Sequence, residues 1–511
     1  MKSKVKDLFW IFLITISIRI IPILFGQFLS PDACLYLNIG KNLIEKKGFV
    51  ISYNFYHFWK DSFYPALPFM HPLFPFLCGI ALAIFKSVKA VSFINVFFIY
   101  LNLLLIFFLF PEISKKTRYF LCTLLSLNYT LFYVSLFPWT EPLHLFFLTL
   151  SFYFLKKISQ KYSYFPLIIG IIMGIATLVR AANIFNILGY LLIFLFFYPH
   201  KIRNLFLFLV GVSIILLPYE VICFVKYGIF YPQYLKVAKV YGQANIYGGY
   251  YKETLPVLHS NLHLTLWGFF YIFFSTTFYK LKQFFIILNN YLQGFLWLGI
   301  IGVYELFRKR KEINESQCLF SILFIGIINL LLYSSSVWWD PALEFYRYIL
   351  IPYVCFFIVF IFSIEKVITL NRQSKNLFIF LFFFLLFIKD GFYRLNKNYQ
   401  YFVYREKVKK SINLRKEMLN WFNDHINSTD TIATSEYFYA FPLNGVTVSL
   451  PEARMITGKN MEDFLEIYSP KYIWIGKGKL NLYSHFLNKN YKKIKLPHPL
   501  SFSYVVFLKK K

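Results

Sequence analysis

A few polar side chains set in strongly apolar sequence hold the chemistry this chain offers. The first is Asp32, in Ser30-Pro31-Asp32, just past the first long apolar run. Serine is a capping residue and proline suits the first helical position, so Asp32 falls in a first turn, where the helix dipole favours a carboxylate. A carboxylate held there is a candidate general base, although acids are also ordinary at helix starts. Tyr36, Ile39 and Leu43 share one face of the expected helix, which Lys41, Glu45 and Lys46 avoid, so the helix should lie along a membrane interface.

The second is Glu141, the sole charge in Phe137-Pro138-Trp139-Thr140-Glu141-Pro142. At the mouth of a span it could hold a metal, orient an acceptor, pair with a base such as Arg180, or face water. Arg180 closes a segment from Gly170 in which Gly174 permits close helix approach. Its fork can give a phosphate two parallel hydrogen bonds, or snorkel to headgroups. Arg347 opens a late span in Glu344-Phe345-Tyr346-Arg347-Tyr348, after Trp338-Trp339-Asp340-Pro341, and needs an acid or a lipid phosphate as partner. The paired tryptophans read first as an interfacial belt. His71, in Met70-His71-Pro72-Leu73-Phe74-Pro75, has no second ligand fixed by spacing, although His57 and His259 fall in loops of the same expected side. A divalent metal at Glu141 or His71 stays open, and no cofactor is certain. Glu220 lies within a span, close to one end.

Of the 511 residues, 58% are hydrophobic and 22% aromatic, with a mean hydropathy of +0.54. That composition excludes a soluble domain. Net charge is +30, but the bases cluster in short loops between apolar runs, which fits anionic headgroups and argues against nucleic acid. The six cysteines are scattered, with no metal-type spacing. Lys2, Lys4 and Lys6 precede an apolar run that reads as an uncleaved first span.

Spans are expected near 8–28, 91–110, 118–136, 142–157, 164–180, 183–198, 204–225, 284–307, 317–336, 347–368 and 376–390, about eleven in all. Laying the short apolar stretches 72–86 and 267–280 along the interface puts every short basic loop on the cytoplasmic side. Those loops include Lys115-Lys116-Thr117-Arg118, Lys156-Lys157 and Arg308-Lys309-Arg310-Lys311. The N-terminus is then cytoplasmic. Loops 29–90 and 226–283, the turns 137–141 and 337–346, and the tail lie outside.

The tail, about 394–511, is more polar. It reads as a small α/β domain, with helices at Leu414–Asn423 and Met461–Tyr468 and strands at Thr431–Thr434, Val446–Leu450, Tyr472–Ile475 and Tyr504–Leu508. The expected fold class is thus an all-α polytopic membrane protein over 1–393, with a small extracytoplasmic α/β domain over 394–511.

Over roughly 1–390 the chain resembles the GT-C superfamily of membrane glycosyltransferases, in the branch of the protein O-mannosyltransferases and lipid A aminoarabinose transferases. The likeness rests on Asp32, Tyr36 and Leu37, on Lys47-Gly48-Phe49, on His71 through Pro75, on Thr140-Glu141, and on Arg347, Tyr348 and Pro352. It implies two interfacial helices in the first outer loop. It also implies inverting transfer of a sugar from a polyprenyl-phosphate donor to a lipid, glycan or protein acceptor at the outer face of the cytoplasmic membrane. By that likeness Asp32 is the general base. Arg180 and Arg347 face the carrier phosphate with Tyr348 as a hydrogen-bonding partner, and Glu141, His71 and Tyr36 line the donor or acceptor site. Many relatives carry two adjacent acids or a double proline where this chain has Asp32 and Pro72 alone. A polymerase or ligase of lipid-linked glycans would use similar residues. A secondary transporter or lipid flippase would instead show repeated halves and ionisable groups near the bilayer midplane.

Overall fold

The computed structural model describes residues 2–25, 30–49, 53–54, 71–158, 164–227, 313–335, 347, 350–369, 413–427, 429–435, 446–450, 465–466, 469–487 and 490–510. The expected spans 284–307 and 376–390, the interfacial stretch 267–280, and Tyr348, Trp338, Trp339, Asp340, His57 and His259 lie outside the described residues, as does most of the helix expected at Met461–Tyr468.

Twelve helices precede the C-terminal region among the described residues. They are α1 (Lys2–Phe25), α2 (Pro31–Ile44), α3 (Leu73–Phe85), α4 (Val88–Leu109), α5 (Lys115–Leu127), α6 (Tyr129–Leu136), α7 (Glu141–Lys157), α8 (Phe165–Val179), α9 (Ile184–Phe196), α10 (Lys201–Tyr227), α11 (Ile313–Ser335) and α12 (Leu350–Thr369). Three described helices are long and apolar enough to cross a membrane, over Lys6–Leu24, Val88–Leu109 and Lys201–Val225. Their exposed leucine, isoleucine and phenylalanine side chains, such as Phe9, Phe97, Phe206 and Ile214, suit a hydrocarbon solvent.

The expected span 118–136 is instead a bent pair, α5 and α6, meeting at 55°. Asn128 makes the break, because its side-chain oxygen accepts from the backbone N–H of Thr130 (2.9 Å) and Leu131 (3.3 Å) and so caps α6. Arg19 of α1, fully buried, stitches the bend. Its guanidinium donates to the Ser126 carbonyl (2.8 Å) and to Ser135 Oγ (2.8 Å), and also to Thr15 of its own helix (2.9 Å). A buried cation without those acceptors would be strongly destabilising.

Glycine sets two close helix crossings. A Cβ on Gly170 of α8 would fall 2.1 Å from the Phe208 carbonyl oxygen of α10 and 3.0 Å from Gly211 Cα. On α2, a Cβ at Gly40 would stand 2.7 Å from the Gly79 nitrogen of α3. Ala33 through Gly40 are buried all round, and exposure begins at Lys41. Helix α3 packs over α2, with Phe74 edge-on to Tyr36 at 5.2 Å.

Among the described residues, the C-terminal region supplies five strands (β2–β6) of a six-stranded mixed sheet in the order β1-β3-β2-β4-β6-β5. Strands β2 (Thr431–Thr434), β3 (Val446–Ser449) and β4 (Tyr472–Gly476) run parallel. Strands β5 (Tyr491–Ile494) and β6 (Tyr504–Lys509) are antiparallel to their neighbours. A helix over 413–425 covers one face, packing Met418 and Phe422 on Trp474 and Tyr472. Strand β1 (Tyr53–Asn54) comes from the loop between α2 and α3 and pairs parallel with β3.

Candidate active site

Four charged side chains from four distant segments form one alternating chain. Arg347 donates from Nη1 to Asp32 Oδ2 and from Nε to Glu141 Oε1 (2.5 Å), and Arg180 donates from Nη1 to the same Glu141 oxygen (2.5 Å). Each charge suits its place. Asp32 sits in the first turn of α2 and Glu141 opens α7, where N–H dipoles favour anions, while Arg180 caps the C-terminus of α8.

Exposure separates the two acids. The Glu141 side chain is 1% exposed and that of Asp32 33%, with Arg347 at 8% and Arg180 at 12%. Glu141 is thus a buried anchor that fixes two guanidinium groups, while Asp32 keeps about a third of its side chain open. Removing a partner from such a buried pair leaves an uncompensated charge, which costs about 3–5 kcal/mol.

Aromatic and backbone contacts hold the chain of charges in place. The Arg347 guanidinium lies 4.6 Å from the centre of the Trp139 ring, which itself stacks on Phe137 at 4.4 Å. Trp139 Nε1–H donates to Ser30 Oγ (2.6 Å), and the same oxygen accepts from the Ala33 N–H (3.1 Å) to cap α2. One hydroxyl therefore ties the 137–141 turn to the helix that carries Asp32. On α4, Asn95 donates to the carbonyls of Phe137 (2.6 Å) and Trp139 (3.0 Å), and Asn102 donates to that of Pro142 (3.1 Å).

Beneath Glu141, one turn along α7, His144 Nε2 meets Asn183 Oδ1 at 2.9 Å. Asn186 donates to that oxygen (2.9 Å) and Asn329 donates to Asn186 (2.7 Å). This buried polar column joins α7 to α9 and α11. Sequence reasoning missed Asn95, Asn102, His144, Asn183, Asn186 and Asn329; their signal was amides and an imidazole inside apolar helices.

Of the residues singled out from the sequence, Asp32, Glu141, Arg180 and Arg347 come together. Tyr36 lies beside them: its buried phenol feels all four charges, and burial pushes its pKa up. His71 is buried ahead of α3, and burial pushes its imidazole down to about 3. Glu220 is half-buried on α10 and forms no described bond with the four. Among the described residues, no group of three His, Cys, Asp or Glu side chains is placed to hold a metal ion. Two guanidinium groups already neutralise Glu141, so the arrangement described does not fit a cation there.

No protein-family model matches the chain, and no curated protein matches it by sequence. Solved structures do match. ArnT from Cupriavidus metallidurans, bound to undecaprenyl phosphate, aligns over 98% of this chain and 96% of its own with a TM-score of 0.58 and 11% identity. The archaeal oligosaccharyltransferase AglB from Archaeoglobus fulgidus, in complex with an inhibitory peptide and a dolichol-phosphate, aligns over 93% of this chain and 69% of its own, with a TM-score of 0.56 and 13% identity. The apo form of the Archaeoglobus fulgidus oligosaccharyltransferase aligns over 96% and 72%, with a TM-score of 0.57 and 13% identity. The chain shares its fold with these transferases, and three of its described helices are long and apolar enough to cross a membrane.

Proposed function

We propose that this chain is an integral-membrane inverting glycosyltransferase that moves a sugar from a polyprenyl-phosphate donor to a lipid, glycan or protein acceptor. The observation that carries this reading is the half-buried Asp32 bridged by Arg347 to the buried Glu141–Arg180 pair. In the reaction the acceptor oxygen attacks the anomeric carbon and its proton passes to Asp32. The bond from that carbon to the phosphate oxygen breaks, and the charge left on the carrier phosphate is met by Arg347 and Arg180. Glu141 holds both arginines at fixed positions before substrate arrives. By the same reading Tyr348 is a hydrogen-bonding partner for the phosphate, and Tyr36 and His71 line the donor or acceptor site.

About eleven spans over 1–393 hold this site at the extracytoplasmic face of the cytoplasmic membrane, with the N-terminus in the cytoplasm and the 394–511 domain outside. Support comes from the fold shared with ArnT and AglB, whose solved forms hold undecaprenyl phosphate and dolichol-phosphate. The test supplies membranes containing the protein with a radiolabelled polyprenyl-phosphate sugar or, separately, a nucleotide sugar. Label moving to acceptor from the lipid donor alone supports the reading. Transfer from the nucleotide donor alone, or uptake without transfer, would overturn it.

A further inference from the structure

The apolar stretch of α1 suited to crossing a membrane runs from Lys6 to Leu24, about 27 Å at the rise of an α-helix, and Asp32 follows its far end. At the near end stands an open cleft of about 610 Å³, lined by Lys6, Phe9 and Trp10 of α1 and by Lys116 and Tyr119 of α5. That volume falls within the span of small-molecule sites, about 300–1,000 Å³.

The charges around this cleft do not balance. The acid beside it is already used: the Asp7 carboxylate accepts from the Tyr119 hydroxyl and from Lys115 Nζ (2.7 Å), and its side chain is 7% exposed. Lys6 and Lys116 are exposed, and among the described residues neither is paired with an acid. Lys115 and Lys116 also stand in the first turn of α5, which holds no acid. Cations there oppose the helix dipole, so they weaken α5 unless an anion lies over them. The walls of the cleft are aromatic as well as cationic, with Phe9 59% and Trp10 50% exposed. Tryptophan and tyrosine rings settle at the headgroup level of a bilayer. Two unpaired ammonium groups beside such rings, where a membrane-crossing helix begins, match an anionic phosphate carried on acyl chains.

We infer that this cleft is a binding site for an anionic phospholipid of the leaflet opposite Asp32. Lys6 and Lys116 meet the phosphodiester, and Phe9 and Trp10 flank the glycerol and the first carbons of the acyl chains. The site is separate from the one that holds Asp32 and stands independently of the transfer reaction.

The experiment measures binding of fluorescent phosphatidylglycerol to the full-length protein in neutral detergent. The competitors are unlabelled phosphatidylglycerol, phosphatidylcholine, glycerol 3-phosphate and polyprenyl monophosphate. Lys6→Gln and Lys116→Gln should each raise the Kd about fivefold, and together about 30-fold. The pair Lys6→Arg/Lys116→Arg should bind as wild type does. Lys201→Gln, at the exposed start of α10, should also match wild type. Melting midpoints should be unchanged throughout, because these lysines are exposed. Wild-type binding by Lys6→Gln/Lys116→Gln, or an equal loss in Lys201→Gln, overturns the site. Competition by phosphatidylcholine as strong as by phosphatidylglycerol overturns its selectivity for anions. Competition of that strength by glycerol 3-phosphate makes it a site for a free phosphate and overturns the lipid. Displacement by polyprenyl monophosphate at lower concentration than by phosphatidylglycerol overturns the phospholipid as occupant.

Discussion

Arg347 and Asp32 stand 315 positions apart in sequence and share a hydrogen bond, while the same guanidinium holds Glu141. The half-buried acid and the buried acid are thus joined through one planar fork, which presents two differently directed N–H groups. A lysine at this position offers a single point of charge. Arg347→Lys is expected to lower transfer about 100-fold, and Arg347→Ala is also expected to lower the thermal midpoint, because Glu141 loses a partner worth about 3–5 kcal/mol. Side-by-side transfer rates and melting curves of the two variants check this.

The Ser30 hydroxyl serves two helical segments at once, so its loss and the loss of its donor differ in a measurable way. Trp139→Phe keeps a ring over Arg347 and beside Phe137 but removes the Nε1–H bond, an expected cost of about 1 kcal/mol. Ser30→Ala removes that bond and the α2 cap together, at about 1–2 kcal/mol. Unfolding in detergent should rank wild type above Trp139→Phe and that above Ser30→Ala.

Gly40 and Gly79 let α2 and α3 touch backbone to backbone. An added Cβ on Gly79 would lie 2.9 Å from the Gly40 carbonyl oxygen, too close for either helix to stay in place. Gly79→Ala is expected to cost about 1–3 kcal/mol and to lower transfer by displacing Asp32. Gly478→Ala, where an added Cβ would meet nothing within 4 Å, should be neutral to about 0.5 kcal/mol.

The C-terminal domain has its own acid sensitivity. Asp430 accepts from the Asn427 N–H (2.9 Å) and from Lys471 Nζ (2.9 Å), joining the start of β2 to the start of β4. Burial pushes its carboxyl up, but those bonds and the Lys471 charge outweigh it and hold Asp430 below the usual carboxylate range. The hydrogen bond to Asp430 in turn raises Lys471. A depressed folded-state acid gives stability that is present above its unfolded pKa, about 3.9, and lost as pH falls through the folded value. The lysine's share is present below about 10.4 and lost as pH rises through its raised value. Asp430→Asn should therefore lower the domain's melting temperature at pH 7, and the difference from wild type should shrink below about pH 4. An undiminished difference at pH 2 would contradict the assignment.

How far the sequence carried depends on range. Strand β2 matches Thr431–Thr434 residue for residue, and β4 and β6 end within one residue of expectation, because short β-branched and aromatic runs state themselves locally. Ser30 and Pro31 foretold the start of α2, and the acids and arginines that meet were each visible as charges at helix ends. Their order was not. Nothing local says that Glu141 would be sealed while Asp32 stays open, since burial is decided by Trp139, Asn95 and the α4–α7 packing. Strand β1 was illegible for the same reason: two residues carry no periodicity, and its partner lies almost four hundred positions away. The burial of α2 on both faces depended on Gly40 meeting Gly79, a contact no helical wheel contains.

The claim that Asp32 takes the acceptor's proton is tested most directly by Asp32→Asn, an isosteric change that removes the basic oxygen. Transfer from a radiolabelled polyprenyl-phosphate sugar should fall at least about 100-fold, with carrier binding held within a few-fold of wild type. Wild-type transfer by Asp32→Asn would contradict the account.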